Sequence, residues 1–282
     1  MQTAAVLGAG TMGAGIAQAV AMGGYSVILR DLQISVLENA LAVIKHNLEK
    51  MKLKNDIDED HKRQVLSRIK LTTDLSDVVG ADLVIESVVE NISVKKQIFA
   101  QLDNICRPDT ILATTTSSFS VTEIAAATQR KDQVIGVHFF NPVLEVKLVE
   151  IVKGLETSAA TLSQILEFVD RIGKQAVVIA RDTPGNIVNR LMATYINEAI
   201  FLYGSGIADV QDIDLAMELG AGMKKGPLKL ADAIGLDYLY NTLLNLLNEF
   251  RDNKYRPHTL LTTMIRGGYC GEKSGRGFYK YP

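Results

Sequence analysis

Residues 4–13 read Ala4-Ala5-Val6-Leu7-Gly8-Ala9-Gly10-Thr11-Met12-Gly13, a short apolar run that leads straight into a GxGxxG turn. Residues 14–23 continue in small and apolar side chains at helical spacing, so the glycines fall between a strand and a helix. Each glycine then has a task. Gly8 permits the tight turn, Gly10 lets the backbone come close to a pyrophosphate, and Gly13 lets helix and strand pack. Thr11 and Met12 lie at the helix N-terminus, where free N–H groups and a partial positive charge favour phosphate. A second run, Tyr25-Ser26-Val27-Ile28-Leu29-Arg30, ends at Asp31. That acid stands about 20 residues beyond the glycines, where a carboxylate accepts hydrogen bonds from an adenosine ribose and repels a 2′-phosphate. Strand, glycine turn, helix, strand and acid in that order predict a dinucleotide site that takes NAD.

Working outward, strand-like and helix-like segments alternate through the first two-thirds of the chain. A helical pattern covers about Ile34 to Met51, and the charged stretch from Lys52 to Arg68 reads as a helical hairpin projecting from the sheet. Strands are expected at Ile69–Thr72, Leu83–Ser87, Thr110–Thr114 and Val134–Val137, with helices near Val94–Cys106 and Val121–Thr128 between them. This alternation predicts a parallel, doubly wound α/β sheet of the Rossmann type. Val146–Val152 and Ala176–Ala180 extend it, with a helix over Ala159–Ile172 between them. The pattern changes at Asp182-Thr183-Pro184-Gly185. Pro184 suits a first helical turn, and Ile187, Leu191, Tyr195, Ala199 and Leu202 then recur at helical spacing. Further helices are expected at Val210–Leu219, Leu236–Phe250 and Thr259–Ile265. The expected division is therefore a dinucleotide-binding domain over 1–183, with a helical insertion near 34–68, and an all-helical domain over 184–282.

Composition removes several function classes. Of 282 residues, 47% are hydrophobic and 22% charged, which reads as globular. A formal net charge of −2 gives no general attraction to nucleic acid or an anionic membrane, so an anionic ligand needs a local basic cluster. Two cysteines and four histidines show neither a disulfide framework nor metal-ligand spacing, so no metal is expected. With residues 3–7 read as a strand rather than a leader, and no apolar run of membrane-spanning length, the expected compartment is the cytoplasm.

A dinucleotide fold does not specify a reaction. The stretch Gly136-Val137-His138-Phe139-Phe140-Asn141-Pro142 places His138 at the C-terminal end of a strand, where parallel sheets carry their functional side chains. Twelve residues on, Glu150 is flanked by Val149 and Ile151 in an apolar segment. A carboxylate in such a setting needs a partner. Paired with His138 it would fix the imidazole tautomer and stabilise imidazolium; a loop-capping His and a Glu bridged elsewhere is the competing reading. Ser117, in Thr114-Thr115-Thr116-Ser117-Ser118, reads from the residues alone as a helix cap. Lys45, Lys50, Lys52 and Lys54 read as a solvated helical face.

These motifs together resemble the L-3-hydroxyacyl-CoA dehydrogenases. The resemblance is carried by residues 8–18, by Leu83-Val84-Ile85-Glu86-Ser87-Val88-Val89-Glu90-Asn91, by His138-Phe139-Phe140-Asn141-Pro142, by Pro184-Gly185-Asn186-Ile187-Val188-Asn189-Arg190, and by Lys273-Ser274-Gly275-Arg276-Gly277-Phe278-Tyr279. It runs in order over essentially the whole chain and is strongest toward the stand-alone bacterial members acting on 3-hydroxybutyryl-CoA.

The resemblance implies reversible, NAD-dependent oxidation of a short 3-hydroxyacyl-CoA to the 3-oxoacyl-CoA. It implies that His138 is the general acid/base, Glu150 its orienting partner, and Ser117 and Asn189 hydrogen-bonding groups for the substrate. Gly8, Gly10, Thr11, Met12, Gly13 and Asp31 would hold the adenine half of NAD. Glu90, Lys95, Ser117, Asn141 and Lys273 would surround the nicotinamide half. Asn47 and Lys54, with Lys50 in the same cluster, would meet the CoA portion. A homodimer through the helical domain is implied as well. The chain departs from the family pattern at Thr115, at Asn186 and over residues 221–225, which bears on the shape of the acyl pocket. A related dehydrogenase of a free hydroxy or sugar acid, and a catalytically silent NAD-binding protein, are the alternatives.

Overall fold

The computed structural model describes residues 1–282. The chain divides into two compact units, Met1–Thr183 and Pro184–Pro282.

The first unit is built on an eight-stranded sheet. Its strands are β1 (Thr3–Leu7), β2 (Ser26–Arg30), β3 (Ile69–Thr72), β4 (Leu83–Glu86), β5 (Ile111–Thr114), β6 (Val134–Phe139), β7 (Leu148–Lys153) and β8 (Gln175–Ile179), in the spatial order β3-β2-β1-β4-β5-β6-β7-β8. Successive side chains point to opposite faces. Thus Ala4 and Val6 join one buried cluster with Leu83, Ile85, Ile135 and Val137, while Ala5 and Leu7 join another with Val84, Leu112 and Val134. Both faces are covered, which is why these strands read as unbroken apolar runs. Helices α1 (Thr11–Met22), α2 (Ile34–Leu53), α3 (Glu59–Ser67), α4 (Ile92–Ile105), α5 (Val121–Ala125) and α6 (Ala159–Arg171) connect the strands.

The sheet is mostly parallel, with one reversal: β7 pairs antiparallel with β6, and β8 then runs parallel to β7. The cause is chain length. Parallel neighbours need a crossover of a dozen or more residues, whereas only residues 140–147 separate β6 from β7. The reversal has a chemical consequence, since it sets His138 directly opposite Glu150 in the register.

The stretch from Lys52 to Arg68 forms the end of α2, a turn and α3, which Asp58 caps by accepting from the His61 N–H at 2.7 Å.

The second unit is helical: α7 (Val188–Gly204), α8 (Val210–Gly220), α9 (Pro227–Ile234), α10 (Leu236–Phe250) and α11 (Thr259–Arg266). Its core gathers Ile196, Ile200, Leu228, Leu236, Leu243 and Leu261, each fully buried. The expected helix start at Pro184 is corrected to Val188. Gly185 and Asn186 both take left-handed backbone, with φ of 75° and 49°, so they turn the chain before α7 and cannot belong to a right-handed helix.

Candidate active site

Gly8 has φ of 93°, and a Cβ there would lie 2.3 Å from the Ser87 carbonyl oxygen; a Cβ at Gly13 would lie 1.8 Å from that of Gly8. Both positions therefore exclude any side chain. Gly10 is different: it is exposed, and a Cβ there would meet nothing within 4 Å. It is the N-cap of α1 and supplies no side-chain cap, so the first N–H groups of the helix, at Thr11, Met12 and Gly13, are available to an anion. At the end of β2, Asp31 accepts the Ala9 N–H at 2.8 Å on one oxygen and the Gln33 N–H at 3.3 Å on the other. The carboxylate is thus fixed to the glycine turn. A tight turn, an open approach at Gly10, a bare helix N-terminus and an anchored acid fit a dinucleotide.

At the C-terminal ends of β4, β5 and β6 lie two sets of buried polar groups. In the first, the His138 ring Nδ1 is 2.8 Å from Glu150 Oε2. His138 is 7% exposed and Glu150 fully buried. Because the carboxylate accepts, Nδ1 carries the proton and Nε2 is left for chemistry. Phe140 packs edge-on against the imidazole with ring centroids 4.5 Å apart.

The second set centres on Glu86, the last residue of β4 and fully buried. Its Oε1 accepts the Lys95 ammonium at 2.8 Å and the Val88 N–H at 2.9 Å, and its Oε2 accepts the Thr114 hydroxyl at 2.7 Å. Lys95 also bridges to Glu90 at 3.1 Å, and the Thr116 hydroxyl donates to Glu90. Thr116 Oγ1 in turn accepts the Ser118 and Phe119 N–H groups at 3.2 and 3.1 Å. The loop that carries Ser117 is thereby tied to β4, β5 and α4. Ser117 is not the cap of α5, since Ser120 takes that place. Reading the sequence missed Glu86, Thr114 and Thr116. The signal was present: an acid at the end of the apolar run Leu83-Val84-Ile85 must have a partner.

Asn141 is exposed on the segment after β6. In the helical unit, the Asn189 amide donates to the Tyr238 hydroxyl at 2.9 Å, and Lys273 pairs with Asp237 at 2.6 Å. On α2, the Asn47 amide donates to Gln18 Oε1 at 3.2 Å, which fixes Asn47 against α1. Lys50 and Lys54 are exposed and belong to no ion pair, whereas Lys52 is held by Glu49 at 2.7 Å and Glu59 at 2.9 Å. The basic cluster is therefore smaller than the charge pattern suggested. The ion pairs on Lys52 hold its proton more tightly than usual and Glu49 and Glu59 lose theirs more readily. Burial pushes the Cys106 thiol up to about 11, which leaves it inert as a nucleophile. No three His, Cys, Asp or Glu side chains gather in a way that could hold a metal ion.

The fold and these constellations define a nucleotide-dependent oxidoreductase architecture with a His–Glu pair. The chain belongs to the 3-hydroxyacyl-CoA dehydrogenase family: residues 3–183 match the model of its NAD binding domain and residues 185–281 that of its C-terminal domain. It is 44% identical over 277 residues to a 3-hydroxybutyryl-CoA dehydrogenase of Clostridioides difficile, covering 98% of both chains. It is 41% identical over 283 residues to the human mitochondrial hydroxyacyl-coenzyme A dehydrogenase, covering 98% of this chain and 90% of that one. Among solved structures, an (S)-3-hydroxybutyryl-CoA dehydrogenase from Ralstonia eutropha superposes with a TM-score of 0.97 at 40% identity, covering 100% of this chain and 99% of the other.

Proposed function

We propose that this chain catalyses reversible hydride transfer between NAD and carbon 3 of a short (S)-3-hydroxyacyl-CoA, with (S)-3-hydroxybutyryl-CoA and acetoacetyl-CoA as the pair it serves. The observation that carries the reading is the buried His138–Glu150 contact of 2.8 Å, on a chain of this family. In the oxidative direction His138 Nε2 takes the hydroxyl proton; in reduction it returns that proton to the forming alkoxide. Glu150 keeps Nδ1–H in place and stabilises the imidazolium while it lasts. NAD, when bound, supplies the hydride acceptor.

In this reading Gly8, Gly10, Thr11, Met12, Gly13 and Asp31 hold the adenine half of NAD. Glu90, Lys95, Ser117, Asn141 and Lys273 serve the nicotinamide half. Ser117 and Asn189 hydrogen-bond the reacting end of the substrate. Asn47, Lys50 and Lys54 receive the CoA portion, and Lys50 and Lys54 support this because their ammonium groups have no acid of their own. Residues 1–183 bind the cofactor; residues 184–282 complete substrate binding and carry a homodimer contact. The dimer is supported by exposed apolar side chains of the helical unit, among them Leu191 at 66% and Leu219 at 78% exposure. Free cysteines support a reducing compartment, the cytoplasm, and the likeness to bacterial 3-hydroxybutyryl-CoA dehydrogenases supports an enzyme acting in reduction, in butyrate-type metabolism. No helix is long and apolar enough to cross a membrane.

The test is NADH oxidation by the purified chain with acetoacetyl-CoA, beside free acetoacetate and a panel of oxidised sugar acids, and with NADPH in place of NADH. The reading expects turnover with acetoacetyl-CoA and NADH. Turnover with a free acid alone contradicts the CoA assignment, and no turnover with any of them contradicts the enzyme.

A further inference from the structure

Lys174 lies between α6 and β8, is 8% exposed, and has no carboxylate partner. Its ammonium instead donates to two backbone carbonyls, those of Val143 at 2.5 Å and Val146 at 2.7 Å. Burial without a counter-charge makes the ammonium easier to deprotonate than usual. Such a cation is costly where an apolar side chain would fill the space, so what it holds needs an explanation.

What it holds is the segment 140–147, which leaves β6 two residues after His138 and returns in β7 three residues before Glu150. The segment is closed on itself by the Glu145 and Val146 N–H groups, which donate to the Pro142 carbonyl at 3.1 and 3.0 Å. It is also pressed onto the dinucleotide helix. Val143 is 4% exposed, and a Cβ placed on Gly15 of α1 would come within 2.9 Å of the Val143 Cβ. Gly15 thus makes room for Val143 one turn into α1, the helix whose N-terminus is proposed to receive the cofactor phosphates. Lys174 anchors the segment by its carbonyls, and Asn141 lies exposed on it.

We propose that Lys174 is a positioning residue: by clamping the 140–147 segment between β8 and α1 it sets where Asn141 stands relative to His138, and so aligns the nicotinamide end of the cofactor with the proton carrier. The proposal rests on the reading of Asn141 and His138 given above. It assigns the alignment to a residue outside the site, and to a direct mechanical link between the cofactor helix and the catalytic strand. Alignment matters because displacement of reacting groups by about 1 Å costs up to ~10²-fold in rate.

The experiment combines Lys174→Met and Val143→Ala with Asn141→Ala. Steady-state kinetics are measured with NADH and acetoacetyl-CoA, and binding of NADH and of ADP-ribose, which lacks the nicotinamide, is measured by calorimetry. Lys174→Met should lower kcat about tenfold or more and weaken NADH, with ADP-ribose binding changed by no more than about twofold. In the Asn141→Ala background it should cost little further. Val143→Ala keeps the buried ammonium and loosens the packing of the segment on α1, the contact to Gly15 included; it should move the same quantities in the same direction by less, and it stands in if Lys174→Met does not fold. Equal weakening of NADH and ADP-ribose, a full additional loss of kcat in the Asn141→Ala background, or unchanged kinetics in both variants overturns the proposal. A wild-type chain that binds NADH and fails to reduce acetoacetyl-CoA overturns the substrate reading instead, and the binding comparison still decides the role of Lys174.

Discussion

The ends of β4 and β6 and the turn between α2 and α3 are built from the same chemistry, carboxylates set against cations, and do opposite things with it. At the strand ends, Glu86, Lys95, Glu150 and His138 are buried, and the Glu86–Lys95 and Glu150–His138 pairs each meet at 2.8 Å. On the hairpin, Glu49, Lys52, Glu59 and Lys62 form a comparable network in contact with solvent. Water screens the second network, so its members contribute little to stability. The first network has no water to fall back on, so each partner is indispensable to the other. Burial, more than residue type, separates a site from a solvated face. On the proposed reading, the hairpin serves the CoA portion only where a cation is left without an acid, at Lys50 and Lys54.

The comparison breaks most severely if the buried His138 is replaceable. His138→Gln should lower kcat by about 10²–10⁴ with the KM for NADH nearly unchanged, because the glycine turn and Asp31 lie elsewhere in the sheet. Steady-state kinetics checks both. Next in size is the structural pair. Glu86→Ala leaves the Lys95 ammonium buried with only half-exposed Glu90 for company, and should destabilise the chain by about 3–5 kcal/mol, read in thermal or denaturant unfolding. Smaller is the effect on the hairpin. Lys54→Glu should raise KM for acetoacetyl-CoA several-fold at low salt, less at high salt, and leave KM for NADH alone. Smallest is Glu59→Gln, which weakens a solvent-accessible ion pair to Lys52 and should leave Tm and KM where they were. An equal KM effect from Lys54→Glu and Glu59→Gln would erase the distinction drawn between free and committed charges.

Much of this was legible in the sequence, and what was not has definite causes. The glycine turn was readable because Gly8 and Gly13 are dictated by backbone clashes that no neighbouring segment can relieve. Strands β1, β4 and β5 were readable because both their faces are buried, which leaves an unbroken apolar run. The His138–Glu150 pair was visible as two residues in apolar company, while its antiparallel register was not, because strand direction depends on the length of the connection. Helix α9 went unread because it is only eight residues long and follows a run of glycines and lysines. The start of α7 was misplaced because Pro184 favours a helix while the next two residues take left-handed backbone. Glu86 escaped because a single acid after three apolar residues does not announce its partners, which come from β5, α4 and the backbone at Val88. Lys52 was grouped with Lys50 and Lys54 because α3, which supplies Glu59, returns to it only in three dimensions.

The central claim is that His138 and Glu150 act as one unit. The most direct measurement is kcat for acetoacetyl-CoA reduction in His138→Gln, Glu150→Gln and the double variant. With the proton carrier gone, Glu150 has nothing to orient, so the double variant should match the slower of the two single variants. Losses that multiply, or a His138→Gln enzyme with near-normal kcat, would show that another group carries the proton.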